Sequence, residues 1–191
     1  MRTVKQPDVR KQEILDGAIR VFAQKGYDKA TIATIAKELN ISQGLCYRYF
    51  PSKEDIYNAA IEKYADLILD EFLKNRKEGQ SLKQRLENIP ASIKALTAAE
   101  TRDSDLYTLF HSQNGERLHS QLLLKVAKKI LPYIQQMLAD AKNNGEITVA
   151  DPRATAIVGL YGQLGVFFTS GLAEEQQNAI IRDSWDRLLG I

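Results

Sequence analysis

The chain has 191 residues, a length that fits one larger domain or two small ones. Hydrophobic residues make up 44% of it, enough for a packed core, and charged residues make up 26%, as in soluble proteins. The net charge is only +2, so the protein as a whole is not a polycation. A single cysteine excludes an intramolecular disulfide framework and indicates a reducing compartment.

Positive charge is concentrated towards one end of the chain. Residues 1–53 contain ten Lys or Arg and five Asp or Glu, a net charge of +5, which leaves −3 for the remainder. This asymmetry fits a surface that meets phosphate, although charge alone fits a solvated helical surface equally well. The first residues are polar and contain no apolar signal segment. We therefore expect a cytoplasmic protein with no membrane partner.

The first predicted helix runs from Val9 to Lys25, because apolar residues recur there at helical spacing. Lys25 in the last turn and Gly26 directly after it are typical of a helix end. Residues 1–8 are polar and basic, and we expect them to form a loose arm. The helix supplies the apolar scaffold for the next stretch.

The stretch from Thr31 to Lys53 predicts a short helix, a tight turn, a second short helix and the start of a third. Thr31 caps the first of these helices. Asn40 ends that helix, because asparagine tolerates the left-handed conformation that a sharp turn needs. Ser42 suits the N-cap of the second helix. The apolar face of the first helix consists of Ile32, Ile35, Ala36 and Leu39.

The second short helix, Gln43 to Phe50, is only about two turns long and is stopped by Pro51. Ser52 and Asp55 have the spacing of a capping box for the following helix. Two short helices joined by a tight turn form a helix-turn-helix, whose second helix enters the major groove of DNA. The pattern by itself is moderately specific, since many small helical cores look similar.

The rest of the chain predicts six further helices and no convincing strand. They cover Lys53 to about Arg76, Ser81 to Leu96, a short segment from Leu106, Glu116 to Lys142, Asp151 to about Ser170, and roughly Glu174 to Leu189. We expect a bend at Pro90 and an interruption at Pro132. The stretch from Thr97 to Asp105 is polar and is expected to form a loop. We expect an all-α fold of about nine helices, with an N-terminal three-helix domain and a C-terminal helical domain.

Three glycines at spacings of three lie inside one of these helices, at Gly159, Gly162 and Gly165. Each costs roughly 1 kcal/mol relative to alanine, so close approach of another helix should compensate. The uncharged stretch from Ala154 to Ala173 raises a transmembrane interpretation, but its glycines and polar residues favour a buried helix in a dimeric four-helix bundle. The predicted interface residues are Gly159, Gly162, Leu164, Phe167, Phe168, Trp185 and Leu188.

Two runs carry a family likeness. The run from Ile14 to Tyr27 ends a helix with Gly-Tyr, and the run from Thr31 to Ile56 has a T-x-x-x-I-A core, a Y-x-Y-F ending and a P-S-K-E start of the next helix. They closely resemble the TetR/AcrR family of bacterial transcriptional regulators over roughly residues 9–60. The resemblance implies an Ω-shaped homodimer with two DNA-binding heads and a C-terminal domain that dimerises and usually holds a small-molecule pocket.

On this basis we expect a DNA-binding domain at residues 1–55, with the helix-turn-helix at about 31–50. Residues 56–191 would form the dimerisation and ligand domain. The resemblance places Tyr47 against the phosphate backbone and Tyr49 towards the groove or the backbone. Whether one of these tyrosines packs in the core instead stays open.

The residues expected to face the groove are Gln43, Gly44, Leu45 and Arg48. Glutamine can pair with adenine, arginine with guanine, and leucine can touch a thymine methyl group, while glycine lets the backbone approach. Thr31 and Thr34 can donate to phosphate, and Lys53 stands at a helix N-terminus where it can also reach one. Gln43, Leu45 and Cys46 differ from the residues common in the family, so no operator sequence can be carried over.

Three residues invite site chemistry that the sequence does not favour. Cys46 is expected to face the core rather than act as a redox sensor, because its neighbours are a poor thiolate site. His111 and His119 have no further ligands at metal-binding spacing, so no metal site is expected. No cofactor is expected either.

The pocket is the least defined part of the prediction. Aromatic and aliphatic residues on the central helices are candidates, and the effector should be small and largely apolar. The candidates are Tyr64, Phe72, Leu96, Tyr107, Phe110, His111 and Tyr161.

The functional hypothesis is a repressor that binds a palindromic operator and is released by such an effector. A DNA-binding protein without an effector, as an architectural or division-linked protein, is an alternative. An enzyme or ligand carrier is disfavoured, because the sequence lacks a nucleophile–base pair, a metal cluster and a phosphate loop.

Overall fold

The computed structural model describes residues 6–74, 79–86, 105–111, 116–169 and 171–191. Within these ranges the chain forms helices and no strand, which confirms the predicted all-α class with about nine helices. The helices are α1 (Pro7–Lys25), α2 (Ile32–Glu38), α3 (Gln43–Tyr49), α4 (Lys53–Lys74), the described part of α5 (82–86), α6 (Asp105–His111), α7 (Glu116–Asn143), α8 (Pro152–Thr169) and α9 (Glu174–Leu189). The predicted bend at Pro90, Leu96 and residues 97–104 of the predicted loop lie outside the described residues.

Helix α1 begins at Pro7, two residues before the predicted start. Proline suits the first helical turn, because its fixed φ is already helical and its missing N–H has no partner there anyway. The helix ends as predicted at Gly26, which has a φ of 77° and donates its N–H to the carbonyl of Phe22 at 2.9 Å. Its buried face, which includes Ile14, Ala18 and Phe22, holds α1 in the core.

The turn between α2 and α3 is closed by Asn40, which has the predicted left-handed conformation with a φ of 51°. Its N–H donates to the carbonyl of Lys37 at 3.1 Å, and the N–H of Ile41 donates to the carbonyl of Ala36 at 2.9 Å. These two bonds satisfy carbonyls that the end of α2 would otherwise leave unpaired. The chain therefore reverses sharply without exposing the helix end.

Helix α7 continues through Pro132, and the predicted interruption there is wrong. Proline removes one backbone hydrogen bond and strains the turn before it, which costs about 3 kcal/mol in an isolated helix. The apolar stripe stays in phase on both sides, with Ile130 and Ile134 fully buried. Burial on both sides of Pro132 therefore offsets the missing bond.

The chain divides into two compact units, Met1–Tyr64 with Leu96–Leu122, and Ala65–Ala95 with Leu123–Ile191. We call them unit 1 and unit 2. Within unit 1, α1 packs against α2 and α6, and α2 packs against α3. Within unit 2, α8 packs against α9, and Ala127 of α7 joins Leu160 and Leu164 in one apolar cluster. The predicted domain boundary after residue 55 stays a prediction.

Helix α8 begins as the sequence predicts, with Asp151 as its cap and Pro152 in its first turn. The Asp151 carboxylate accepts the backbone N–H groups of Arg153 at 2.8 Å and Ala154 at 3.2 Å. Among the described residues, no helix combines the length and the apolar character that crossing a membrane requires.

Candidate nucleic-acid interface

Helix α3 is held at both ends and from behind. The Ser42 hydroxyl accepts the N–H of Leu45 at 3.2 Å, and the N–H of Phe50 donates to the carbonyl of Cys46 at 2.9 Å. Seven residues are too few for a helix that is stable alone. The fully buried Cys46 and the buried Phe50 therefore anchor it to the core.

The opposite face of α3 is open to solvent. Gln43, Gly44, Tyr47 and Arg48 are all exposed, and they lie on one side of the helix because residues three and four apart share a face. Tyr47 is 51% exposed, an unusual position for so large an apolar ring. A Cβ added at Gly44 would meet nothing within 4 Å, so another molecule can approach the backbone there.

The two remaining predicted contacts on α3 lie at the edges of this face. Leu45 and Tyr49 are half-buried, whereas Tyr47 is exposed. Of the two tyrosines, Tyr49 is thus the one that packs partly against the protein. The Tyr47 side chain faces solvent, and its contact with phosphate stays a prediction.

Thr31 and Thr34 cap the start of α2 reciprocally. The Thr31 hydroxyl accepts the N–H of Thr34 at 3.1 Å, and the Thr34 hydroxyl accepts the N–H of Thr31 at 2.9 Å. The Thr34 hydroxyl also donates to the Thr31 carbonyl at 2.8 Å, so its hydrogen is already used. Thr31 is exposed, and its hydroxyl donates only over a long 3.4 Å contact to the Thr34 hydroxyl, so of the two threonines it has the more accessible donor.

Lys53 points back into unit 1. Its ammonium donates to the carbonyls of Tyr27 at 2.9 Å and Ala30 at 3.1 Å, and lies 3.5 Å from the carbonyl of Asp28. It also stands 4.2 Å from the centre of the Tyr27 ring. This arrangement has no signal in the sequence, because the acceptors are backbone carbonyls in a connection without a motif.

Cys46 is fully buried, and burial raises the pKa of its thiol. A protonated thiol is a poor nucleophile, so this position acts as a small apolar contact. Among the described residues, no group of three or more His, Cys, Asp or Glu is arranged to hold a metal ion.

The predicted pocket residues that the structure describes are divided between the two units. In unit 1, Tyr64 and Phe110 are fully buried and stack with ring centres 5.5 Å apart, and Tyr107 is half-buried. In unit 2, Phe72 is buried with its ring centre 6.5 Å from that of Tyr133, and Tyr161 packs on the α7–α8 cluster. Leu96 and the side chain of His111 lie outside the described residues.

The predicted dimer residues divide into two groups. Gly159, Leu164 and Trp185 are buried within the chain, and the Trp185 ring lies directly over Gly159. Phe167 is partly buried on the α7–α8 cluster. Gly162, Phe168 and Leu188 are exposed and form the second group.

Two residues that position these elements were not singled out in the sequence. Gly17 of α1 lies under the side chain of Leu39, and a Cβ there would stand 2.7 Å from Leu39 Cγ. Gln163 accepts the indole N–H of Trp185 at 3.2 Å in a buried site. The available signals were a glycine inside α1 and a glutamine in the uncharged part of α8.

A short helix anchored by its buried side and presenting polar groups beside a glycine, after a capped helix and a tight turn, defines a helix-turn-helix DNA-binding protein. Residues 14–60 match the model of the bacterial regulatory proteins, tetR family. The chain is therefore similar to the transcriptional regulators of this family, and the family match lies in its helix-turn-helix region.

Two relatives by sequence and one solved structure are similar to this chain. The HTH-type transcriptional regulator YhgD of Bacillus subtilis is 26% identical over 166 residues, which cover 83% of each chain. The negative transcriptional regulator IcaR of the biofilm operon icaADBC in Staphylococcus epidermidis is 35% identical over 72 residues, 38% of this chain and 39% of IcaR. The structure of RolR in complex with resorcinol has a similar fold, with a TM-score of 0.65 and 18% identity over 97% of this chain and 89% of that one.

Proposed function

We propose that this protein is a repressor that binds a palindromic operator as a homodimer and leaves it when a small, largely apolar effector binds. The outward face of α3 carries the proposal, because its exposed side chains and its accessible glycine suit a major groove. Two copies related by a two-fold axis would place two such helices on half-sites separated by one or more helical turns.

Binding should first be measured on an operator found by genome-wide mapping of bound sites. We expect affinity to fall steeply with salt, because lysine and arginine contacts release counterions from phosphate. Salt-independent binding, or no binding at low salt, would contradict the proposal.

Side-chain roles are tested by two substitutions on the α3 face. Tyr47→Phe should weaken all DNA sequences alike, since it removes a phosphate donor. Arg48→Ala should change the base preference, with a loss of about 1–3 kcal/mol at one position. Arg182→Ala, at an exposed arginine of α9, is the matched control and should change neither property.

The dimer is supported by an exposed apolar surface on α8 and α9. Ile157 and Val158 are 44% and 58% exposed, and Phe168 follows on the same helix at 42%. Gly162 and Gly165 lie between them, exposed and with no neighbour within 4 Å of a Cβ. Ile180 and Leu188 add exposed apolar area on α9. Exposure of such an apolar patch to water is unfavourable. A second copy of the chain packed on this surface would remove it from water.

Sedimentation velocity tests this interface. Gly162→Leu fits the isolated chain because the space around it is empty, so a change in mass would report on the partner. We expect this variant and Val158→Glu to sediment as monomers. Val9→Glu makes the same kind of change at an exposed position of α1 and should leave the mass unchanged. A dimer that survives both α8 substitutions would contradict the interface.

The effector part rests on the aromatic and aliphatic character of the candidate pocket residues and on the resorcinol complex of the fold relative RolR. An effector can release the operator only if it binds the DNA-free conformation more tightly than the DNA-bound one. Resorcinol and related phenols are suitable first probes. Binding should raise the melting temperature and weaken operator binding together. If no small molecule in a broad apolar panel does so, the protein represses without an effector.

A further inference from the structure

Lys53 connects the two ends of the helix-turn-helix. Ala30, whose carbonyl accepts from the Lys53 ammonium at 3.1 Å, directly precedes the cap of α2. Lys53 itself is the first residue of α4, four positions after the end of α3. The link to Tyr27 spans 26 residues and the link to Ala30 spans 23. Together they close α2, the turn and α3 into a ring.

The surroundings of the ammonium account for its inward position. A cation at a helix N-terminus is opposed by the helix dipole, so solvent-facing lysine is disfavoured there. An ammonium has three donors and no acceptor, and three carbonyl oxygens lie within 3.5 Å of Lys53 Nζ. The face of the Tyr27 ring adds a cation–π contact.

The acceptor side of this link is attached to the core. The ring of Tyr27 lies 5.5 Å from that of Phe22 and 4.8 Å from that of Tyr57, measured between centroids. Phe22 and Tyr57 are both buried, so the carbonyls that hold Lys53 belong to a rigid part of unit 1. Helix α3 is too short to fix its own orientation, and its direction depends on the elements at either side.

We propose that Lys53 is a positioning residue for DNA binding: it fixes α3 by tying the start of α4 to the connection before α2, and it does not contact phosphate. This assignment rests on the proposed function, since operator binding is its readout. It differs from the phosphate contact that the position of Lys53 at a helix N-terminus predicted.

The salt dependence of operator binding separates the two roles. A lysine that contacts phosphate releases about one counterion, so its removal should reduce the slope of log K against log salt by about 0.9. Lys53→Met should instead weaken binding roughly tenfold with an unchanged slope, because charged hydrogen bonds within the protein are lost. Lys128→Met, at an exposed lysine of α7, should leave both affinity and slope unchanged. A reduced slope or an unaltered affinity for Lys53→Met would overturn the proposal.

Lysine labelling of the unmodified protein gives a second measurement that does not depend on how the variant folds. Reductive methylation read by mass spectrometry should modify Lys53 more slowly than the exposed Lys37, with or without operator DNA. Fast labelling in the free protein followed by protection on DNA would identify a phosphate contact and overturn the assignment. Failure of the wild-type protein to bind DNA would contradict the proposed function alone, because protection in the free protein still tests the link.

Discussion

Each unit of the molecule contains a helical glycine covered by a large side chain, and the two covering side chains differ in how freely they can move. In unit 1, a Cβ on Gly17 would lie 2.7 Å from Cγ and 2.8 Å from Cδ1 of Leu39. In unit 2, a Cβ on Gly159 would lie 2.6 Å from both Cζ2 and Cζ3 of Trp185. Both distances are too short for a real contact, so a neighbour must move in either case.

The neighbours are not equally free to move. Leucine can change rotamer and shift its methyl groups, and Leu39 is only half-buried. The indole of Trp185 is rigid, 6% exposed, and held by its N–H on Gln163. A glycine thus permits close helix packing in both places, but only in unit 2 is the covering group locked. The substitutions below test whether this difference sets their cost.

Gly159→Ala should have the largest effect. Overpacking costs about 1–3 kcal/mol and alanine returns about 1 kcal/mol in helix propensity. Because the indole cannot yield, we expect a net loss of about 2 kcal/mol in the free energy of unfolding. For a chain of this size that lowers the melting temperature by about 4–8 °C. Trp185 is the single tryptophan, so its fluorescence should report the displacement directly.

Gly44→Ala is the matched control for this substitution. It makes the same change inside a helix, and its new Cβ meets nothing within 4 Å. It should leave the melting temperature of the DNA-free protein unchanged or slightly raised. Equal losses at both positions would show that packing against Trp185 does not determine the cost.

Gln163→Met should have the next largest effect, because it removes the acceptor of a buried indole N–H while keeping a side chain of similar length. Leaving such a donor unpaired costs about 1–3 kcal/mol, and we expect about 1.5 kcal/mol from chemical denaturation followed by circular dichroism. In a Trp185→Phe background the same substitution should cost much less, since no N–H remains to be satisfied. An equal cost in both backgrounds would contradict a role for this hydrogen bond.

The parts of unit 1 that could be predicted from sequence depend on interactions between near neighbours. Thr31, Ser42 and Asn40 act within three to five residues of their partners, so their residue types and spacing carry the information. The outward face of α3 also follows from helical phase once Cys46 is assigned to the core. These are the elements that the structure confirms most closely.

The remaining features depend on tertiary packing, which one helix pattern does not contain. Trp185 and Gln163 are 22 residues apart, and Lys53 and Tyr27 are 26 apart. The spacing of Gly159 in its helix predicted a close neighbour, but not that this neighbour is Trp185 of the same chain rather than a partner subunit. Proline at position 132 likewise predicted an interruption, because the gain from burial on both sides of it appears only in the folded chain.

Gly17→Ala should have the smallest effect on stability. Leu39 can move its methyl groups away, and the gain in helix propensity offsets most of the remaining cost, so we expect a loss of at most about 1 kcal/mol. A Leu39→Ala background removes the side chain that the new Cβ would meet. In that background, Gly17→Ala should leave the free energy of unfolding equal to, or higher than, that of the Leu39→Ala single variant. A loss as large as that of Gly159→Ala would refute the distinction between a mobile and a locked neighbour.

Gly17→Ala should nevertheless affect DNA binding. Leu39 is the C-cap of α2 and directly precedes Asn40, whose left-handed conformation sets the direction of α3. A shift of Leu39 therefore reaches the turn, and a small misplacement of α3 weakens several groove contacts at once. We expect operator affinity to fall several-fold while the melting temperature hardly changes, and Gly159→Ala to show the reverse pattern as long as the protein stays folded and dimeric. Anisotropy titrations of both variants against the same operator, beside their melting curves, measure this directly. If affinity followed stability in both, the turn would not be the structure that Gly17 protects.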